Sequence, residues 1–131
     1  MKHEDLTSEI IGIFYDVYTE LGHGFLEKVY QNAFYYALLE AGFRVEPRKK
    51  MKVHFRNRIV GEYIADLVVN ETIILELKAA ECLTEAYENQ LLHYLRCTEM
   101  EVGLLFNFGV KPEFKRKVYD NDLKPNLKKK D

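Results

Sequence analysis

The sequence predicts an α/β fold in which helices pack against a β-sheet. Two amphipathic segments come first, followed by three strand-like segments, a third helical segment and a final apolar run. Apolar residues at helical spacing indicate helices, whereas alternating or continuous apolar runs of 4–8 residues indicate strands. The resulting order, α-α-β-β-β-α-β, packs helices against a sheet around one core. A chain of 131 residues suits one such core, so we expect a single domain over residues 1–131.

Two helices are predicted before the first strand. Apolar residues recur on one face of the first helix, namely Ile10, Phe14, Val17, Tyr18 and Leu21. The run Gly22-His23-Gly24 then breaks the helical pattern. A second apolar face extends from Leu26 to Leu38, and Gly42 suits the end of that helix.

The next three segments predict an antiparallel meander. Residues 52–55 lead into a turn at 56–58, and residues 59–69 continue as a strand with Gly61 as a candidate bulge. A turn at residues 70–71 precedes a third strand over residues 72–79. Short turns between successive strands favour antiparallel pairing.

The remaining segments complete the predicted sheet. Thr84 suits the N-cap of the third helix, with Glu85 in its first turn. The continuous apolar run 102–106 is typical of a strand covered on both faces. Residues 114–119 suit either an edge strand or a helical turn. We expect the core to cover residues 8–118 and the basic tail, residues 120–131, to be flexible.

Charge is distributed unevenly, although the net charge is only −2. Residues 43–60 contain seven Lys or Arg and one Glu, whereas residues 61–110 contain two basic and nine acidic residues. The basic block includes Arg48, Lys49, Lys50 and Lys52. These side chains could hold phosphates beside an acidic centre, or they could form a solvated strand edge.

Several classes of protein are disfavoured by composition. No apolar stretch approaches the roughly 20 residues of a membrane span, and the first residues lack the apolar core of a secretory signal. Cys82 and Cys97 are too few for a disulfide framework or a cysteine zinc site. We therefore expect a cytoplasmic protein with no membrane partner.

Charged residues interrupt two apolar strand segments. Asp66 lies in the second predicted strand, and Glu76 and Lys78 lie two residues apart in the third, so both leave the same strand face. Because an unpaired buried ion is costly, this pattern needs a reason. Two carboxylates and an ammonium at neighbouring strand ends suit a divalent cation with a charged group beside its water. A cross-strand salt bridge would explain the same residues.

Two further helical pairs have functional and structural explanations. Gln90 and Tyr94 share one face of a helix that starts six residues after Lys78 and must pack near that strand. A solvent-facing glutamine beside a core tyrosine would give the same spacing. Glu27 precedes Tyr30 by three residues in the second helix, where the helix dipole alone favours a first-turn carboxylate.

Together these residues resemble a known family. Gly24-x-x-Glu27-x-x-Tyr30 resembles the signature of the GxxExxY protein family. Asp66 with Glu76-Leu77-Lys78 resembles the core of the PD-(D/E)XK nuclease superfamily, to which that family is assigned. The run Gln90-Leu91-Leu92-His93-Tyr94 is similar to the Gln-x-x-x-Tyr helix motif of its exonuclease-like branch. The three motifs occur in order, which makes the match specific, although Ala65 stands where the name-giving motif has proline.

The resemblance implies a restriction-endonuclease-like fold, in which helices flank a central mixed sheet. It also implies metal-dependent hydrolysis of phosphodiester bonds in DNA, or alternatively RNA. The implied catalytic residues are Asp66, Glu76, Lys78, Gln90 and Glu27. The implied ligands of Mg²⁺ or Mn²⁺ are Asp66, Glu76 and the backbone carbonyl of Leu77. Tyr94 and Tyr30 would support the side chains that hold the metal.

Other classes of function remain open at this point. The domain could keep the fold but only bind nucleic acid or a protein, or it could be a subunit that is active only in a larger complex. A homodimer is also compatible with the sequence. Intact acids and an intact lysine favour an enzyme, whereas the low net charge favours a module that needs a partner.

Overall fold

The computed structural model describes residues 2–127 of the 131. The helices are α1 (Glu4–Leu21), α2 (Glu27–Glu40) and α3 (Glu85–Cys97), with a short 3-10 helix at Asn121–Leu123. The strands are β1 (Val45–Phe55), β2 (Arg58–Val69), β3 (Ile73–Lys78), β4 (Val102–Asn107) and β5 (Glu113–Val118). They form a five-stranded sheet in the order β1-β2-β3-β4-β5.

The sheet is mixed and is covered by helices on both faces, which confirms the predicted fold class. β3 and β4 are parallel, with α3 as their crossover, and the other neighbouring strands are antiparallel. One face packs against α1 and α2 around an aromatic cluster that includes Phe14, Phe34 and Phe106. The other face packs against α3 through Leu91 and Leu95. Among the described residues, no helix is long and apolar enough to cross a membrane.

The end of α2 explains why Gly42 is needed. The Phe43 N–H donates to the Leu38 carbonyl at 3.1 Å, and the Gly42 N–H donates to the Leu39 carbonyl at 2.9 Å. This pair of bonds is the Schellman motif, whose C′ residue adopts a left-handed conformation. Gly42 has φ 93°, a region that side chains disfavour. The chain can therefore turn from the helix into β1.

The β1–β2 hairpin is longer than predicted, because β1 begins at Val45 rather than at residue 52. Arg56 and Asn57 both have positive φ, as a two-residue I′ turn requires. The pairing moves from Val53↔Gly61 to His54↔Ile59 and leaves Val60 as an extra residue on β2, so a bulge is present directly beside the predicted position, Gly61. The basic block therefore lies on an edge strand.

β2 is much longer than its pairing with β3, and this difference shapes the functional region. Only Leu67, Val68 and Val69 pair with β3, and the last pair is Leu67↔Leu75. Residues 58–66 continue beside β1 without β3 as a neighbour. The sheet therefore opens at Asp66, between the outer part of β2 and the end of β3.

The second half of the chain follows the predicted order. The Tyr87 N–H donates to Thr84 Oγ1 at 3.3 Å, so Thr84 is the N-cap of α3. β4 is buried along its whole length, as a strand between two helical layers should be. Residues Glu113–Val118 form an antiparallel edge strand, which decides between the two alternatives for this segment.

The segment after β5 packs against the domain over residues 120–127, in contrast to the expected flexible tail. The Lys124 side chain is fully buried, and its Nζ donates to the carbonyls of Thr98 at 2.9 Å and Met100 at 2.5 Å. Asn126 accepts the N–H groups of the β1–β2 turn. A buried lysine with carbonyl partners gives no sequence signal that separates it from a solvated one. Residues Lys128–Lys130 of the same tail lie outside the described residues.

Candidate metal and catalytic site

Asp66 and Glu76 face one another in the opening between β2 and β3. The Leu77 N–H donates to Asp66 Oδ2 at 2.8 Å, and the Asp66 N–H approaches Glu76 Oε1 at 3.4 Å. These contacts take the place of ladder hydrogen bonds beyond the last pair, Leu67↔Leu75. The two strands thereby hold both carboxylates in the same gap.

The electrostatics of Glu76 reflect this proximity. Burial is the main cause that raises the pKa of Glu76 from its ordinary value of 4.5 to about 8, and repulsion by Asp66 adds to it. A hydrogen bond from Tyr63 opposes the rise in pKa. Near neutral pH, the pair therefore retains a proton when no cation is present. A divalent cation in the gap would replace that proton and satisfy both carboxylates.

Lys78 lies on the same face of β3 as Glu76, and its ammonium lies over an aromatic ring. Its Nζ is 4.9 Å from the centroid of the Tyr87 ring, a cation–π distance. Within residues 2–127 it forms no ion pair with Asp66 or Glu76. A cross-strand salt bridge therefore does not explain these residues, and the ammonium is available at the wall of a cavity.

That cavity joins the end of β3 to α3. It has a volume of about 360 Å³, and its lining includes Glu76, Lys78, Gln90 and Tyr94. Gln90 is exposed at its rim, on the face of α3 that also carries Tyr94. The Tyr94 ring stacks on Tyr63 at a centroid distance of 3.8 Å and an angle of 11°. The cavity thus places an amide and an ammonium beside one member of the acid pair.

Glu27 reaches the same region from the first turn of α2. Burial raises the pKa of Glu27, the charge of Lys78 opposes the rise, and the charge of Asp66 adds to it. The backbone N–H of Ala79 also stabilises the ionised form. These interactions place Glu27 within electrostatic reach of the acids and the lysine.

Tyr30 fixes the loop that precedes α2. Its hydroxyl donates to the Gly22 carbonyl at 2.6 Å and accepts the Phe25 N–H at 3.2 Å. Its ring stacks on Phe108 at 4.6 Å, and the Phe108 N–H donates to the Lys78 carbonyl at 2.8 Å. Tyr30 therefore links the loop before Glu27 to the end of β3.

The donor set restricts which ion would fit. The described residues contain no group of three or more His, Cys, Asp or Glu side chains that could hold a metal. The gap offers the carboxylates of Asp66 and Glu76. It also offers the backbone carbonyl of Leu77, which directly follows Glu76 on β3. Mg²⁺ commonly binds through one or two carboxylates and keeps several waters, whereas zinc sites use nitrogen and sulfur ligands. The residues present thus fit a hard, hydrated cation.

The basic residues of β1 do not line the cavity that Glu76, Lys78 and Gln90 line. Lys49, Lys50 and Lys52 line a separate cavity of about 640 Å³ beside residues 98–100. The Lys49 Nζ pairs with Glu46 at 2.9 Å, which offsets part of its charge. Arg48 is different, because it lies between the pairs Pro47↔Leu67 and Lys49↔Ala65, has no pair of its own in the β1–β2 ladder, and has φ 51°.

Sequence reasoning missed three residues that shape the site: Tyr63, Tyr87 and Asn107. Asn107 is fully buried, and its side chain exchanges two 3.0 Å hydrogen bonds with the backbone of Ala80, just after β3. Its Oδ1 also accepts the Gly109 N–H, and a Cβ at Gly109 would lie 1.8 Å from the Ala80 oxygen. The sequence signal for this role was an asparagine at the end of an apolar strand, two residues before a glycine.

We expect the metal-free protein to lose stability as pH rises between 4.5 and 8, the interval between the unfolded and folded pKa values of Glu76. The folded state binds the proton more tightly than the unfolded chain, so stability falls by about 1.4 kcal/mol per pH unit at most. Burial lowers the pKa of Lys124 to about 8, so this lysine changes the stability only above that interval. Denaturant unfolding in EDTA should show the slope, and Glu76→Gln should flatten it. An equal slope in that variant would contradict the assignment.

The chain belongs to the PD-(D/E)XK nuclease superfamily, whose family model matches residues 4–120. The fold is similar to the crystal structure of an alkaline exonuclease from Laribacter hongkongensis. That similarity has a TM-score of 0.54 at 14% sequence identity, and it covers 94% of this chain and 74% of the exonuclease. Among curated proteins, none matches the sequence.

Proposed function

We propose that this chain is a metal-dependent nuclease that hydrolyses phosphodiester bonds of nucleic acid, with DNA as the favoured polymer. The observation that supports this most is the half-buried pair Asp66–Glu76, in which the pKa of Glu76 is raised to about 8. Such a pair is unfavourable in the absence of a cation and suited to binding one. Lys78 and Gln90 line the cavity that Glu76 also lines.

Asp66, Glu76 and the Leu77 carbonyl would hold the metal. Nucleases of this superfamily generally use divalent metals, and the all-oxygen donor set favours Mg²⁺ or Mn²⁺. When bound, the ion would polarise the scissile phosphate and acidify a water molecule. The Leu77 N–H already fixes Asp66, so this carboxylate is oriented before a cation arrives.

The remaining side chains would position water and phosphate. Lys78, held over Tyr87, would orient the attacking water and offset the negative charge that develops on the phosphate. Gln90, at the rim of the cavity, would donate its amide to a phosphate oxygen or a water. Glu27 would support the site from α2, where it interacts with both Lys78 and Asp66.

We further assign the chain to the GxxExxY branch of the superfamily, because each residue of that motif has a physical role. Gly24 has φ 114°, a conformation suited to glycine, and it turns the chain toward α2. Glu27 then reaches the site, and Tyr30 fixes the loop before it. The spacing of the motif follows from one loop and the first turn of one helix.

The proposed nuclease is a single domain over residues 1–131, with DNA contacts from the exposed cations of β1. Arg48 is the basic residue nearest to Asp66 in the strand register. Lys50 and Lys52 extend the positive charge along the same edge strand. Such cations would hold phosphates on either side of the cleaved bond and make binding sensitive to salt.

The direct test combines metal binding with cleavage. We expect Mn²⁺ to bind with measurable heat in isothermal titration, and Mg²⁺ to raise the melting temperature by ligand linkage. Labelled single- and double-stranded DNA, with RNA in parallel, should be cleaved in Mg²⁺ or Mn²⁺ and left intact in EDTA. No metal binding and no cleavage would contradict the proposal. Metal binding without cleavage of any substrate would favour a subunit that needs a partner.

A further inference from the structure

We propose that Tyr63 is the positioning residue for Glu76, and that Tyr94 influences Glu76 only through the stacked Tyr63 ring. In this arrangement the Tyr63 hydroxyl orients the Glu76 carboxylate for the cation. The inference rests on the proposed metal site and adds a residue that lies outside the Asp66, Glu76, Lys78 pattern.

The position of Tyr63 follows from the opening of the sheet. It lies on the part of β2 that has β1 as a neighbour but not β3. Its side chain turns toward α3 and is only 8% exposed. From there its hydroxyl donates a hydrogen bond to Glu76 Oε1, the same oxygen that the Asp66 N–H approaches at 3.4 Å. The phenol therefore spans the gap in which the acid pair lies.

A neutral donor is well suited to this task. The Glu76 side chain has several rotatable bonds, and a hydrogen bond to one oxygen restricts the direction of the other. A lysine or arginine in the same place would neutralise the carboxylate and compete with the cation. The tyrosine hydroxyl orients the carboxylate and leaves its negative charge for the metal.

Tyr94 explains how the hydroxyl is held in place. The outer part of β2 lacks β3 as a neighbour, so it needs another support. The rings of Tyr63 and Tyr94 stack at a centroid distance of 3.8 Å and an angle of 11°, which fixes β2 against α3. The ring of Tyr94 supplies this contact, so position 94 requires an aromatic ring rather than a hydroxyl.

The test measures Mn²⁺ affinity by isothermal titration in three variants. Tyr63→Phe keeps the stack and removes the hydroxyl, and we expect Mn²⁺ binding to weaken by about 10–100-fold, as for other outer-shell partners. Tyr94→Phe keeps the stack, and its affinity should equal that of the wild type. Tyr94→Leu removes the stack, and its affinity should fall toward that of Tyr63→Phe. Tyr36→Phe, at a 62% exposed position on α2, is the matched control.

The outcomes separate this inference from the proposed function. Circular dichroism and melting temperature identify any variant that has lost its fold. The comparison of Tyr63→Phe with Tyr94→Phe remains valid even if Tyr94→Leu does not fold. Wild-type affinity in Tyr63→Phe would overturn the role of Tyr63 alone. Equal weakening in Tyr94→Phe and Tyr63→Phe would overturn the indirect role of Tyr94. A wild-type protein that binds no Mn²⁺ would overturn both this inference and the proposed function.

Discussion

Asp66→Ala and Glu76→Ala are each expected to lower Mg²⁺- and Mn²⁺-dependent cleavage by about 10³-fold or more, which corresponds to about 4 kcal/mol of transition-state stabilisation. Each substitution removes one of the two carboxylates that share the gap between β2 and β3. Each variant loses one ligand and one negative charge of the gap, which weakens the attraction of the remaining carboxylate and carbonyl for a divalent cation. Isothermal titration should therefore show that Mn²⁺ binding is lost together with cleavage.

The metal-free fold should tolerate both substitutions. Each one relieves the repulsion between the two acids, and each leaves one donor without its acceptor, at a cost of about 1–3 kcal/mol. The donor is the Tyr63 hydroxyl in Glu76→Ala and the Leu77 N–H in Asp66→Ala. Melting curves in EDTA should show both variants as folded proteins.

Glu20→Ala provides the control for both substitutions, because Glu20 is an exposed acid on α1. It should retain metal binding, cleavage and the rise in melting temperature with Mg²⁺. Wild-type cleavage by either site variant would mean that the activity arises elsewhere or from a contaminant. Cleavage lost with Mn²⁺ binding retained would mean that the acids act in chemistry rather than in holding the ion.

The sequence predicted the order of the elements because each one has a strong local signal. The antiparallel meander followed from short turns, and the Thr84 cap and the fully apolar β4 marked the crossover. The two-residue spacing of Glu76 and Lys78 placed both on one strand face, and the structure has them there. These signals depend on neighbours in the chain, which is why they can be recognised without coordinates.

The parts that could not be predicted depend on contacts between distant segments. No local pattern marks the point at which β2 leaves β3, yet this point creates the gap around Asp66. Tyr63 contacts Glu76 across 13 positions and Tyr94 from another element, so its role is visible only in three dimensions. The burial of Lys124 against residues 98–100 likewise has no sequence signal.

The position of the basic block also required the structure. Its density of charge was evident in the sequence, but the longer β1 and its pairing decide where each cation lies along the edge strand. Arg48 lies between two ladder pairs without a pair of its own, whereas Lys49 forms an ion pair with Glu46. The charges of one segment therefore have different neighbours.

Lys78→Met is expected to lower cleavage by about 10²–10³-fold, the typical cost of removing one charged or hydrogen-bonding group that stabilises the transition state. Methionine keeps an unbranched side chain over Tyr87 up to the ε position and removes the ammonium. Both carboxylates remain, so Mn²⁺ should still bind, and at least as tightly as in the wild type, because a nearby positive charge is gone.

This separation of binding from chemistry distinguishes Lys78 from the two acids. Single-turnover cleavage at saturating Mn²⁺ measures the chemical step, and isothermal titration of the same preparation measures metal affinity. Lys111→Met, at an exposed lysine in the connection between β4 and β5, controls for the loss of one positive charge and should cleave normally. If Lys78→Met cleaved at the wild-type rate, the lysine would have no role in orienting water or offsetting charge on the phosphate. If it instead lost Mn²⁺ binding, Lys78 would be needed to shape the metal site itself.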